Sequence, residues 1–164
     1  MRTLYFCRHA KSSWADPGQD DFDRPLNERG LRDAPNMARL FKDRGDPVDM
    51  IVSSPANRAI TTARAFAREL RIGDDHFVQE PLLYHANVPI IASVVTRLPN
   101  DASRVMFFGH NPGFSEVVEH FSNDSAGDMP TCGIVRIDFV VDAWTELTRD
   151  LGTLVWFDYP KRYQ

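Results

Sequence analysis

The run Leu4-Tyr5-Phe6-Cys7, followed at once by Arg8-His9, constrains this chain more than any other stretch. An uninterrupted apolar run of this length fits a strand covered on both faces. Polar groups at the carboxyl end of such a strand stand at the mouth of an open α/β sheet, where ligands bind. Taken alone, Arg8 would be a strand cap and His9 a hydrogen-bonded boundary residue. Two later segments repeat the pattern and overturn that reading.

Residues 2–8 form the first predicted strand, and the Pro- and Asp-rich stretch 10–26 a long loop. Loops of that length in compact domains are often functional. Asp20, Asp21 and Asp23 read as solvated loop charges. Asn27 is a plausible N-cap for a helix over 28–44, with Leu31, Ala34, Ala38 and Phe41 inward. Pro35 predicts a kink or a late start. Asp49-Met50-Ile51-Val52 is a second buried strand, ending in Ser53-Ser54-Pro55 before a helix over 56–70 that carries Arg58 in its first turn. Phe77-Val78 is a short strand, 80–87 irregular, and 88–98 a third helix. Arg104-Val105-Met106-Phe107-Phe108 is another apolar strand and stops at Gly109-His110, before a helix over 113–121. Segments 134–140, 144–147 and 152–157 read as strands that complete the sheet, the last with hairpin-like spacing. Strands alternating with helices predict an α/β sandwich with a mixed sheet, in a single domain over 1–164.

A net charge of −4 and a pI of about 5.7 argue against general nucleic-acid binding, while leaving room for a local positive pocket. No apolar run reaches membrane-spanning length, and the start lacks a basic stretch followed by an apolar core. No membrane partner and a cytoplasmic location are therefore expected. Cys7 and Cys132 are too few for a disulfide scaffold and lack metal-site spacing. Cys7 reads as a small buried hydrophobe.

If the three strand ends are neighbours, Arg8, His9, Arg58 and His110 converge on one small volume. Guanidinium groups beside imidazoles call for an anion, and arginine presents planar donors that match phosphate oxygens. There is no glycine-rich P-loop, so a nucleoside triphosphate is a weak candidate. Neighbouring cations disfavour imidazolium, so His9 is expected to be neutral and able to attack phosphorus. Arg8, Arg58 and His110 would then neutralise the equatorial oxygens during transfer. Arginines repel a cation and the histidines lack close pairing, so no metal and no other cofactor is expected.

Arg8-His9-Ala10 resembles the Arg-His-Gly signature of the histidine phosphatase superfamily, which includes phosphoglycerate mutases. Ser53-Ser54-Pro55 with Arg58-Ala59 resembles its second motif and Gly109-His110 its third. Asp23-Arg24-Pro25-Leu26 followed by Gly30, together with the small size, is similar to the SixA-type phosphohistidine phosphatases. The resemblance implies a three-layer α/β/α sandwich with a mostly parallel, mixed central sheet, as in phosphoglycerate mutase. It implies His9 as nucleophile, Arg8, Arg58 and His110 as phosphate-pocket residues, and Arg24 as a substrate-side contact.

Two departures matter. Ala10 replaces the glycine, so an ordinary φ is expected there. The segment Leu82-Leu83-Tyr84-His85-Ala86 lacks the carboxylate that many members use to protonate the leaving group. Glu80 is nearby, and His85 reads as a boundary residue. His76 and His120 carry no motif and read as structural. An imidazole leaving group, with a ring pKa of about 6.5, is easier to expel than an alkoxide. The expected activity is therefore a metal-independent phosphatase acting on phosphohistidine in a protein. The alternatives are a small-molecule phosphomonoesterase of the same fold and a non-catalytic phosphate- or phosphoprotein-binding module. Whether His85, Glu80 or a loop Asp reaches the leaving-group side separates the enzyme readings.

Overall fold

The computed structural model describes residues 1–164. Its strands are β1 (Arg2–Arg8), β2 (Met50–Ser53), β3 (Phe77–Gln79), β4 (Arg104–Gly109), β5 (Ile134–Phe139) and β6 (Thr153–Asp158). Its helices are α1 (Glu28–Arg44), α2 (Asn57–Leu70), α3 (Val88–Thr96) and α4 (Gly113–Ser122). The strands form one sheet in the order β3-β2-β4-β1-β5-β6. The first four of these neighbours are parallel, and β5 runs against both β1 and β6. The sheet is thus mostly parallel and mixed, as expected.

Alternation along β1 builds the layers. Leu4 and Phe6 face one way and join a core with Phe107 of β4, Ile91 and Val95 of α3, and Phe114 and Val118 of α4. Tyr5 and Cys7 face the other way, with Phe108 of β4, Phe41 of α1 and Phe66 of α2. Both faces of β1 are covered, which is why its sequence shows no polar alternation. The result is a three-layer α/β/α sandwich. No helix is long and apolar enough to cross a membrane.

Three expectations are corrected. The segment Trp144–Glu146 is a 3-10 turn, not a strand. The Glu146 carboxylate accepts from the backbone N–H of Asp142 and Ala143 and so bends the chain. Trp144, fully buried, donates from Nε1 to the Ala102 carbonyl. Leu31 is 57% exposed, because the buried stripe of α1 runs through Gly30, Ala34, Met37 and Phe41. Pro35 does not delay α1. The Asn27 side chain accepts from the Gly30 N–H and starts the helix at Glu28, leaving Pro35 inside it.

The same start anchors the segment after β1. The Asn27 N–H donates to the Lys11 carbonyl at 2.9 Å. A Cβ on Gly30 would collide with that carbonyl. The second anchor is Ser12, paired with Leu26 in an antiparallel bridge. Residues between them fold back over the carboxyl edge of the sheet. Gly30→Ala should destabilise the protein by about 1–3 kcal/mol, since the obstacle is backbone. Urea unfolding checks this; an unchanged midpoint would show that the segment yields freely.

Candidate active site

Strand register sets the site. Arg8 of β1 pairs with Gly109 of β4, and Phe108 of β4 with Ser53 of β2. His9 and His110 therefore each stand one residue past a paired position, on adjacent strands. The His9 N–H donates to the Gly109 carbonyl at 3.0 Å, and the Ser54 N–H to the Phe108 carbonyl at 2.9 Å. The imidazole centroids of His9 and His110 are 5.3 Å apart. Arg58 enters from the first turn of α2, beside the end of β2. Arg8, His9, Arg24, Arg58 and His110 all line one cleft of about 240 Å³. The geometry brings together every site residue expected from the sequence.

His9 is held by its own neighbour. Nδ1 lies 2.7 Å from the Ala10 carbonyl oxygen, which can only accept, so Nδ1 carries the proton. Nε2 then keeps its lone pair. Burial, more than the nearby Arg58, Arg8 and Arg24, lowers the His9 pKa to about 3. The expected neutrality stands, but desolvation ranks above the neighbouring charges as its cause. His110 is lowered to about 2, again first by burial and then by His9 and Arg58. Its Nε2 is 2.8 Å from Ser54 Oγ, and its Nδ1 is buried without a protein partner. Ala10 is buried and its φ is not positive, as its side chain requires. Its N–H donates to Thr62 Oγ1, whose hydroxyl donates to the Arg58 carbonyl one turn earlier. Thr62 thereby couples the backbone beside His9 to the turn that carries Arg58.

Asp21 corrects the reading of the loop charges. Its Oδ1 accepts from Arg24 Nε at 3.1 Å. Its Oδ2 accepts from Arg58 Nη2 at 3.0 Å and from the Tyr84 hydroxyl at 2.7 Å, and lies 3.0 Å from His85 Nε2. Burial alone would raise this carboxyl, but hydrogen bonds from Tyr84, His85 and Arg58 outweigh it and hold the group well below the usual carboxylate range. Arg24 is buried, with Nη1 donating to Ser12 Oγ at 2.9 Å and its guanidinium 3.5 Å above the Trp14 ring. Arg58 also donates from Nη1 to the Asp21 carbonyl, while its Nε has no protein partner. Arg8 donates from Nη1 to the Met129 carbonyl at 2.9 Å.

His85 lines the cleft, 5.1 Å from His110 between ring centroids, with a left-handed φ of 52°. It is not a mere boundary residue. Glu80 does not reach the cleft; its carboxylate accepts from the Leu82 N–H. The sequence reading assigns no site role to Ser54, Thr62 or Tyr84, and leaves open which loop Asp, if any, faces the cleft; the structure shows that Asp21 does. Thr62 had a local signal, four positions after Arg58, and Asp21 stands three before Arg24. Tyr84 had none, because its partner is 63 positions away.

Such a cleft, with neutral imidazoles and guanidinium donors at the carboxyl edge of a parallel sheet, defines a phosphoryl-handling α/β protein. Residues 4–82 match the model of the histidine phosphatase superfamily, branch 1. A SixA protein of Agrobacterium tumefaciens, a proposed phosphohistidine phosphatase, is 30% identical; 97% of this chain and 98% of that one align, with a TM-score of 0.79. The protein histidine phosphatase SixA in complex with tungstate shares the fold at 19% identity, covering 99% of both chains with a TM-score of 0.84. An uncharacterized chloroplast protein of Arabidopsis thaliana is 29% identical over 157 residues, spanning 88% of this chain and 70% of its own. The chain belongs to the histidine phosphatase superfamily and is a phosphatase of SixA type.

The depressed histidines have a consequence for stability. Between about pH 6.5, the unfolded value, and about pH 3, the folded value of His9, the unfolded chain binds protons that the folded chain refuses. Stability should therefore be full above pH 7 and fall as pH drops through this window. Urea midpoints measured from pH 8 to pH 4 check the sign. His9→Ala should flatten the slope, and an unchanged slope would contradict the assignment.

Proposed function

We propose that this phosphatase removes the phosphoryl group from phosphohistidine in a protein, through a covalent intermediate on His9 Nε2 and without a metal. The observation that carries the mechanism is the hydrogen bond from His9 Nδ1 to the Ala10 carbonyl, which leaves a lone pair on Nε2. In the first step an Nε2–P bond forms and the substrate P–N bond breaks. The electron pair of the broken bond leaves with the substrate imidazole. Water then attacks phosphorus, and the Nε2–P electron pair returns to His9. Arg8, Arg58 and Arg24 would face the phosphoryl oxygens. His110 adds a donor: with the Ser54 hydroxyl donating to Nε2, its buried Nδ1 carries a proton.

The substrate class rests on the state of Asp21. This carboxylate is ionised and committed to four side chains, so it is no reserve of protons for an alkoxide, and His85, which also lines the cleft, has its Nε2 turned to that carboxylate. Phosphohistidine needs less help, because its distal ring nitrogen is protonated near neutral pH and the imidazole leaves neutral. The designation of the Agrobacterium tumefaciens relative supports the same class. Guanidinium groups on the cleft wall would repel a metal ion. We propose further that residues 1–164 make up one domain, since β1 and β6 share the sheet. A cytoplasmic location belongs to the same reading, with Cys7 and Cys132 both free thiols.

Rapid-quench mass spectrometry with a phosphohistidine peptide and no added metal should trap a phosphoryl group on His9. His9→Ala should lose the adduct and at least about 10³-fold in turnover. Arg58→Ala should lose about 10²–10³-fold, raising KM as well. Turnover in His9→Ala at the native rate would sink the nucleophile. Equal turnover of alkyl phosphomonoesters and phosphohistidine would sink the substrate class.

A further inference from the structure

The catalytic cleft has a neighbour. A second cleft of about 250 Å³ adjoins it, and the two share Arg8, Lys11 and Thr131. The cations lining this second cleft are Arg8, Lys11, Arg29 and Lys161, and its acidic side chain is Asp33. The side chains thus carry an excess of three positive charges in a chain whose net charge is −4. Distant parts of the sequence supply them: the segment after β1, the first turn of α1, and the 3-10 turn Pro160–Tyr163. Asp33 is buried and already engaged, with Arg29 Nε at 3.6 Å and the Gln164 amide at 3.4 Å. Lys11 and Lys161 take part in no ion pair. Arg8 lies on the wall common to both clefts, and its Nε is buried without a protein partner.

We propose that this cleft receives the carboxylates of an acidic peptide segment flanking the phosphohistidine of the substrate protein. The enzyme would then select its substrate by the charge beside the phosphorylated residue. This inference rests on the reading that the substrate is a phosphohistidine protein. The walls favour a peptide over a small organic ligand. Apart from Pro130, Tyr159 and Pro160 they are charged or polar, whereas small-molecule sites are lined mainly by apolar and aromatic side chains. Arg29 and Lys161 are exposed at the rim. Exposed cations of this kind act through complementarity and steering of a charged partner. Continuity with the catalytic cleft lets one extended chain occupy both.

The test compares three substrates: free phosphohistidine, a phosphohistidine peptide flanked by Glu and Asp, and the same peptide flanked by Gln and Asn. The acidic peptide should show a lower KM than the neutral one, with the advantage shrinking as salt is raised. Lys161→Glu combined with Arg29→Gln should raise KM for the acidic peptide by about tenfold. Its kcat should hold, and so should both constants for free phosphohistidine. Unchanged thermal unfolding would show that the double variant is folded. Equal KM for the two peptides overturns the proposal, as does an equal loss on free phosphohistidine. So does a small phosphate ester with a second anionic group that outcompetes both peptides. Failure to hydrolyse any of the three substrates would instead remove the underlying substrate reading, and the cleft assignment with it.

Discussion

The arrangement of the carboxyl edge depends on one imbalance of buried charge. Arg24 and Arg58 are 6% and 2% exposed, and a single carboxylate, Asp21, touches the guanidinium groups of both. Buried cations are costly unless paired and hydrogen-bonded. Asp21 meets part of that requirement, and the carbonyls of Ser13 and Asp21 itself meet more of it. The remaining positive potential adds to burial in keeping His9 and His110 neutral. Burial and these guanidinium groups together keep both imidazoles neutral in a cleft of positive potential.

Asp21 also explains the conformation of the long segment after β1. Its carboxylate joins the 3-10 turn Asp21–Asp23 to α2 through Arg58, and to the irregular segment after β3 through Tyr84 and His85. Asn57 adds a bond to the Asp23 carbonyl at 3.1 Å. At its ends the segment is held by the Asn27–Lys11 hydrogen bond and the Ser12–Leu26 bridge. A stretch rich in Asp and Pro, which could have been a solvated loop, becomes a wall of the site. The cleft that holds His9 and the adjoining cationic cleft are neighbours because Arg8 and Lys11, on either side of His9-Ala10 in the chain, border both.

Much of the fold was legible because apolar patterning reports burial directly. β1, β2 and β4 are covered on both faces, and their sequences are correspondingly unbroken. The N-cap of α1 was also legible, since Asn27 acts through a local hydrogen bond from the Gly30 N–H. Trp144–Leu147 misled for a physical reason: an aromatic and aliphatic segment is as well buried in a turn as in a strand. Leu31 misled because its exposure depends on which side of α1 meets the sheet, which helical periodicity alone leaves free by a step of one residue.

The sequence by itself determined the strand ends and the reactive groups attached to them: Arg8 and His9 after one apolar run, His110 after another, and Arg58 a helical turn beyond a third. These follow from nearest-neighbour chemistry along the chain. Only the tertiary structure decided that β2, β4 and β1 are adjacent and in register, and hence that the groups meet. It alone decided that Asp21 faces inward, that Tyr84 and His85 close around it, and that Lys161 joins Lys11 at one cleft. Those contacts span large sequence separations, and a carboxylate or an ammonium group reads the same in sequence whether it faces water or a buried guanidinium. Their pairing depends on packing and desolvation, which exist only once the chain has folded.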